Sequence, residues 1–177
     1  MTIFFTSDTH YWHRNIIRYS NRPFNDIEEM NNELIQRWNS VVGDNDTVYH
    51  LGDVGFKRDM DDILDQLKGK NKFWIPGNHD KDWKRKGLKG FTRLEQCHEM
   101  YVANKVMVVL CHYGMRVWNR CHHGAFHLYG HSHGSLPGNS QSCDVGVDCW
   151  DYTPVTFDQI KQRLDTLPPR VSVDHHR

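Results

Sequence analysis

Three short apolar segments in the first half of the chain each end in a group of polar residues. The segments are rich in β-branched and aromatic side chains, which is typical of strands, and they span residues 2–7, 47–51 and 72–75. The polar residues that follow them are, in chain order, Asp8, then Gly52-Asp53, then Gly77-Asn78-His79-Asp80. Helical patterns separate the three segments, so the sequence predicts an α/β fold. The strands of such a fold present polar side chains together at the carboxyl edge of a sheet.

Two amphipathic helices are predicted between these strands. Asp26 can cap the first helix, with Glu29 three residues later, and apolar residues follow at helical spacing as far as Val42. The second helix is predicted over residues 59–68, with Gly69 as its stop. Each helix would return the chain to the start of the next strand.

The second half of the chain has closely spaced strands and little helix. Strands are predicted over residues 100–103, 106–111, 126–129 and 144–147. Their close spacing favours a meander. Thr156 and Gln159 can form a capping box before a last helix. No linker interrupts the 177 residues, so we expect a single domain over residues 1–177.

The charge and cysteine content exclude several classes of protein. The 22 Lys+Arg residues balance the 22 Asp+Glu residues, which argues against a protein held to nucleic acid mainly by counterion release, although nucleic acid stays open as a substrate. The longest apolar run, residues 106–111, is far shorter than the roughly 18 residues of a membrane span, and residues 1–8 lack a leader pattern. Five cysteines without a C-x-x-C pair fit reduced thiols. We therefore expect a cytoplasmic protein without membrane contact.

The chain contains 13 histidines, and several of them stand with Asp or Asn at predicted strand ends. The motifs at these ends are Asp8-x-His10, Gly52-Asp53, Gly77-Asn78-His79-Asp80, His112 and Gly130-His131-x-His133. Oxygen and imidazole donors without thiolate suit Mn, Fe, Co, Ni or Zn at two adjacent positions, whereas a magnesium or calcium site would not need the histidines. The sequence therefore predicts a transition-metal site at the strand ends.

These motifs, in this order, resemble the signature of the calcineurin-like metallophosphoesterases. Residues 7–17 and 22–24 also resemble the small, uncapped bacterial and phage members of that family. The resemblance extends from Asp8 to His133 and so covers most of the chain. It implies a four-layer αββα sandwich of two mixed sheets flanked by helices, with a dinuclear metal site between the sheets.

The resemblance also implies a role for each motif residue. The first metal would be held by Asp8, His10 and His133, the second by Asn78, His112 and His131, and Asp53 would bridge both. Two divalent transition-metal ions are implied, with Mn²⁺ preferred and Fe, Ni, Co or Zn as alternatives. His79 would be the general acid, and Asp80 would accept the other N–H of its ring.

The implied activity is hydrolysis of a phosphate ester by a hydroxide shared between the two metals. The interval between Asn78 and His112 is too short for a capping domain, and an open cleft with few basic residues favours a small phosphodiester of nucleotide type. The alternatives are a phosphomonoester, as in a nucleotide or protein phosphatase, and a nucleic-acid strand. A catalytically silent interaction scaffold is the alternative of another class. His79 and Asp80 argue against it, because a scaffold needs no acid.

Polar residues near these motifs are candidates for binding the substrate. Arg14 and Arg116 are preferred, because a guanidinium can hold a phosphate through two hydrogen bonds. The full set of candidates is His13, Arg14, Asn15, Arg22, Tyr113, Arg116, His122 and His123.

Overall fold

A computed structural model describes residues 1–57, 60–81 and 87–172 and places them in two mixed β-sheets flanked by helices, which confirms the predicted fold class. The strands of the first sheet are β1 (Ile3–Thr6), β2 (Thr47–His50), β3 (Asn71–Trp74), β4 (Thr92–Arg93) and β9 (Val155–Thr156). Their order is β4-β3-β2-β1-β9. Strands β1 to β4 run parallel, and β9 runs antiparallel to β1. The predicted first three strands are therefore neighbours whose carboxyl ends share one edge.

The second sheet joins four strands in chain order. They are β5 (Cys97–Val102), β6 (Val106–Cys111), β7 (Phe126–Tyr129) and β8 (Ser142–Asp144). Only β5 and β6 pair antiparallel, while β6, β7 and β8 run parallel, so the predicted meander is wrong. The connection over residues 112–125 carries the chain back across the sheet. As a result β6 and β7 end at the same edge.

The helices flank these sheets, and their caps agree with the sequence. They are α1 (Arg14–Tyr19), α2 (Ile27–Val41), α3 (Asp61–Leu64) and α4 (Phe157–Leu164). The Glu29 N–H donates to Asp26 Oδ1 at 2.8 Å, so Asp26 caps α2 as predicted. The capping box of Thr156 and Gln159 at α4 is also confirmed.

Helix α3 is shorter than the predicted segment 59–68. Residues 65 and 66 form a turn instead, and residue 59 lies outside the described residues. Helix α1 was not predicted, because it has six residues and His13, which precedes it, makes no capping hydrogen bond through its side chain. Among the described residues, no helix is long and apolar enough to cross a membrane.

Two apolar clusters hold the layers together. The first joins α2 to the first sheet through residues such as Leu34, Trp38 and Trp74. The second lies between the two sheets and also takes in the buried face of α4, and its residues include Phe5, Leu51, Ile75, Leu110, Leu128, Ile160 and Leu164. A smaller cluster around Trp118 covers the outer face of the second sheet. Burial of these side chains is the main driving force that fixes the two sheets face to face.

Contacts between strand ends tie the two sheets together at one edge. Ser7, just after β1, forms a parallel bridge with Gly146, and its carbonyl accepts from Val147 N–H at 3.0 Å. Gly130, just after β7, packs so closely that a Cβ there would collide with Ser7 Oγ and Asp8 Oδ2. A glycine is therefore required at residue 130 for the end of β7 to reach the end of β1.

Candidate metal centre

The seven predicted metal ligands lie together where the strand ends of the two sheets meet. Six of them form two groups, and within each group one donor atom per residue lies within 4.8 Å of the others. The first group is Asp8, His10 and His133, and the second is Asp53, His112 and His131. Asn78 joins the second group, because its Oδ1 lies 3.0 Å from His112 Nε2. Residues up to 125 apart in sequence thus face one another as the motif order implied.

Asp53 lies between the two groups. Its Oδ2 is 3.6 Å from His10 Nε2 and 3.5 Å from His112 Nε2. Burial alone would raise the pKa of Asp53, but contact with His112 and the nearby His10 hold it well below the ordinary value. Asp53 is therefore an ionised carboxylate shared by both groups.

The backbone at five of these residues is left-handed. The φ angles lie between 46° and 68° at Asp8, His10, Asp53, His131 and His133. Each such conformation costs a non-glycine residue roughly 1–3 kcal/mol and persists only where the surrounding structure enforces it. Strain of this kind concentrates at functional sites, so its clustering here supports a site at these strand ends.

Two buried atoms of the first group that could bind a metal have no hydrogen-bond partner in the described part of the chain. Asp8 Oδ1 and His10 Nε2 make no hydrogen bond within the described part of the chain, and they lie 3.9 Å apart. Burial raises the pKa of the Asp8 carboxyl to about 7. An unpaired buried carboxylate costs several kcal/mol unless a cation neutralises it. A metal ion in contact with both atoms would satisfy them, so these residues fit the implied metal.

The histidines of the two groups differ in their electrostatic surroundings. Burial lowers the pKa of His10 and of His131, which keeps each imidazole neutral with a lone pair available. The pKa values of His112 and His133 are raised, because hydrogen bonds with Asp53 and Asp148 outweigh the effect of burial. A cation would replace the protons that these two histidines attract.

His133 is oriented by Asp148, which the sequence reasoning missed. Asp148 Oδ2 accepts from His133 Nδ1 at 2.7 Å, which leaves Nε2 of that ring as the free nitrogen. Ser20 Oγ also lies 3.2 Å from Nδ1. A usable signal was present in the sequence, since Asp148 follows β8 in the same way that the motif residues follow their strands.

Arg22 lies beneath the site and not at its rim, so its prediction as a substrate-binding residue is wrong. Its side chain is fully buried and pairs with Asp148 through Nε at 2.8 Å and Nη2 at 2.9 Å. Nη2 also donates to Asp8 O at 2.7 Å, and Nη1 donates to Thr9 O at 3.0 Å. A guanidinium with these four contacts stiffens the backbone next to the first group and cannot reach a substrate.

The predicted pairing of Asp80 with the His79 ring is also wrong. Asp80 is completely buried, and its two oxygens accept four N–H groups. The donors are the backbone N–H groups of Asp53, Val54 and Gly77 and the indole N–H of Trp74, at 2.8 to 3.0 Å. Asp80 therefore fixes the two turns that carry Asp53 and Asn78. Its oxygens accept these N–H groups and not an N–H of the His79 ring.

His79 lies at the edge of the site, beside the rings of His10 and His13. Its backbone N–H donates to Asp53 Oδ1 at 2.8 Å, and its side chain is exposed. Its ring centroid lies 5.3 Å from that of His10 and 5.7 Å from that of His13. Two cavities, of about 650 and 320 Å³, border the metal groups, and His79 lines both of them.

Apart from Arg22, four of the candidate rim residues lie at the site or next to it. His13 and Tyr113 are at the site, since His13 Nδ1 lies 3.2 Å from His10 Nδ1 and the Tyr113 ring lies 4.8 Å from the His131 ring. Arg14 and Asn15 are exposed at the start of α1, next to His13.

Arg116, His122 and His123 are not brought to the site, so these three predictions are corrected. Arg116 lines a separate cavity with Leu136 and Arg170. His122 and His123 lie in a short 3₁₀ turn before β7, and His123 borders the first residues of β6 and β7. That is the amino end of these parallel strands, opposite the metal groups. For His122 and His123, strand β7 lies between them and the Gly130-His131 motif, so a short distance in sequence was a poor guide to position.

Phe56 and Tyr19 also border the cleft and were missed by the sequence reasoning. Phe56 stacks on His13, and Tyr19 lines the larger cavity. Phe56 could have been noticed as an aromatic residue three positions after Asp53. Tyr19 carries no comparable signal.

Comparisons with known proteins agree with this geometry. The family model for calcineurin-like phosphoesterases matches residues 1–151. The uncharacterized protein MJ1445 of Methanocaldococcus jannaschii is 35% identical over 173 residues, which cover 92% of this chain and 91% of that protein. The gene 66 protein of Mycobacterium phage L5 is 36% identical over 81 residues, or 43% of this chain and 38% of that protein.

A solved structure shares the fold. It is the crystal structure of the protein of unknown function AQ665 from Aquifex aeolicus, with a TM-score of 0.71 over 91% of this chain and 98% of that one. The two sequences are 22% identical, so this likeness concerns the fold alone.

Proposed function

This chain belongs to the calcineurin-like phosphoesterase family, and from that premise we propose that it hydrolyses a small phosphodiester of nucleotide type with the help of two divalent metal ions. The family implies metal-dependent hydrolysis of phosphate esters. One observation carries the proposal for this chain, namely that two groups of donor atoms share the carboxylate of Asp53. Such a shared carboxylate is suited to holding two cations side by side.

The residues that would hold each ion follow from the two groups. Asp8, His10 and His133 would hold the first ion, Asn78, His112 and His131 the second, and Asp53 both. Oxygen and imidazole donors favour Mn²⁺, with Fe, Ni, Co and Zn as alternatives. When bound, two such ions supply hydroxide near neutral pH and stabilise the charge on the phosphoryl oxygens.

His79 is proposed as the general acid. Its exposed ring stands beside His10 and lines both cavities, so it can reach the oxygen of a departing alcohol. Protonation of that oxygen by a positioned imidazole contributes about 10²- to 10⁴-fold to the rate. The hydrogen bond from its backbone N–H to Asp53 fixes His79 relative to both groups.

Buried residues keep the proposed ligands in place during the reaction. Asp148 and Arg22 hold the His133 ring so that Nε2 faces the first group. Asp80 joins the turns that carry Asp53 and Asn78. These contacts reduce the reorganisation that the charged transition state would otherwise require.

The proposed substrate class rests on the open cleft and on the zero net charge. Strands β4, β5 and β6 lie in the interval between Asn78 and His112, which leaves little chain for a cap. The formal net charge is zero, so a long nucleic acid would gain little from counterion release. A small phosphodiester needs no such surface, because two bound cations supply the positive field locally.

Hydrolysis assays with manganese-loaded protein test this proposal. We expect cleavage of bis-p-nitrophenyl phosphate and of 2′,3′- or 3′,5′-cyclic nucleotides, with lower kcat/KM for p-nitrophenyl phosphate and for oligonucleotides. His79→Asn should lower kcat about 10²- to 10⁴-fold on unactivated esters. His123→Asn, at the opposite end of the sheet, is the matched control and should retain full activity. A chain that hydrolyses none of these substrates would instead favour the interaction scaffold.

A further inference from the structure

An exposed aromatic side chain lies beside the two groups of proposed metal ligands. Phe56 is 54% exposed, although an apolar ring of this size is usually buried. Its ring centroid lies 5.4 Å from that of His79. An exposed ring at the edge of a functional cleft is a candidate contact for a ligand.

The orientation of Phe56 is fixed from below by His13. The two rings are stacked, with centroids 4.4 Å apart and an angle of 15° between their planes. His13 is in turn held by His10, at 3.2 Å between the two Nδ1 atoms. One face of the Phe56 ring therefore packs on the ring of His13, which is itself held by His10. This contact fixes the orientation of the exposed part of Phe56.

The exposed side of Phe56 borders a cavity that reaches the second metal group. This cavity, of about 320 Å³, is lined by Phe56, Asn78, His79 and Lys81. It combines one flat apolar wall with an amide, an imidazole and a cation. A planar ring attached through a sugar to a phosphate matches this combination, because the phosphate would lie at the donor groups while the ring meets the aromatic wall.

We propose that Phe56, supported by His13, is the stacking surface for the base of a nucleotide substrate. This inference rests on the proposed function and adds the residue that selects for a base. Stacking on an aromatic side chain is favourable for every base, since each has a π-face, so the surface would select nucleotides as a class and not one particular base.

Tyr19 is the competing aromatic residue, and the geometry favours Phe56. Tyr19 is 64% exposed and lines the larger cavity, but its ring lies 6.3 Å from His13 and is not stacked on it. The guanidinium of Arg18 also lies over the Tyr19 ring, at 5.6 Å from its centroid. A base would have to compete with that cation for the ring.

Calorimetric titration of manganese-loaded protein with adenosine 5′-monophosphate and with ribose 5-phosphate tests the subsite, because both probes carry a 5-phosphorylated ribose and only the nucleotide carries a base. We expect wild-type protein to bind the nucleotide more tightly. Phe56→Ala should reduce the ratio of the two affinities by about 5- to 150-fold, or to unity where the wild-type ratio is smaller. Phe56→Trp should keep the ratio, and Tyr19→Ala is the matched control that should also keep it.

Equal affinities for the two probes in wild-type protein would overturn the inference. A ratio lost in Tyr19→Ala and kept in Phe56→Ala would also overturn it. Hydrolysis of bis-p-nitrophenyl phosphate by the same preparations separates this inference from the proposed function. Base preference without hydrolysis would support the subsite and count against the phosphoesterase, whereas hydrolysis without base preference would do the reverse.

Discussion

Replacing Asp148 with asparagine tests whether the buried carboxylate orients His133 for metal binding. Asp148 accepts three N–H groups, from Arg22 Nε at 2.8 Å, Arg22 Nη2 at 2.9 Å and His133 Nδ1 at 2.7 Å. An asparagine has one acceptor oxygen, so its NH₂ group must face at least one of these donors. The orientation that keeps Arg22 Nη2 and His133 bonded retains two contacts and is the one we expect.

The expected loss can be worked from these contacts. His133 would keep a hydrogen bond to a neutral oxygen but lose the carboxylate, and removing such a partner typically costs 10- to 100-fold in metal affinity. At about 1.4 kcal/mol per factor of ten, this is roughly 1.4–2.7 kcal/mol, and asparagine should fall at the lower end. Asp148→Ala would also leave the buried Arg22 without its counterion, at a cost of about 3–5 kcal/mol in the free energy of unfolding.

Calorimetric titration of metal-free protein with Mn²⁺ measures this loss of metal affinity. We predict that one of two binding steps weakens by about 10-fold in Asp148→Asn while the other changes little. Asp62→Asn, an exposed position on α3, is the matched control and should leave both steps unchanged. Two unchanged affinities in Asp148→Asn would refute the role assigned to this carboxylate.

Two further predictions concern the strand ends. Gly130→Ala should lower the free energy of unfolding by about 1–3 kcal/mol and weaken metal binding, because the added Cβ would displace Ser7 and Asp8. Gly124→Ala is the control, because a Cβ there meets open space and only the left-handed backbone of residue 124 disfavours the alanine. In metal-free protein, kept so by a chelator, Asp8→Asn should have a higher Tm than wild-type protein at pH 8. The buried carboxyl has a pKa of about 7, above its ordinary 3.8, so its ionisation costs stability as pH rises through that range. The excess in Tm of Asp8→Asn over wild-type protein should shrink on acidification below pH 7, and it should reverse when Mn²⁺ is added. A Tm difference that does not depend on pH would contradict the raised pKa of Asp8.

The strands and capped helices were predictable because their signals are local. Strands β6 and β7 begin and end at the predicted residues, and the caps of α2 and α4 use the predicted side chains. Strand direction was not predictable in the second sheet. The segment over residues 112–125 has no helical pattern to indicate a crossover, yet it is long enough to return the chain and make β7 parallel to β6.

The motif residues were predictable as a cluster because each follows a strand that ends at the same edge. The supporting charges were not, because they depend on distant partners. Arg22 and Asp148 are 126 residues apart, and their pairing exists only once both sheets have assembled. Asp80 shows the same limit at short range. Its oxygens accept three backbone N–H groups from two turns and the indole N–H of Trp74, and not an N–H of the His79 ring.

Metal content measured by elemental analysis after dialysis in Mn²⁺ tests the dinuclear centre most directly. We predict two manganese ions per chain in wild-type protein. Asp53→Asn should retain fewer than two, because the carboxylate that lies between the two donor groups is lost. His123→Asn provides the control for a histidine away from the site. Wild-type protein without bound metal, or Asp53→Asn with two ions bound as tightly as in wild type, would contradict a dinuclear centre bridged by Asp53.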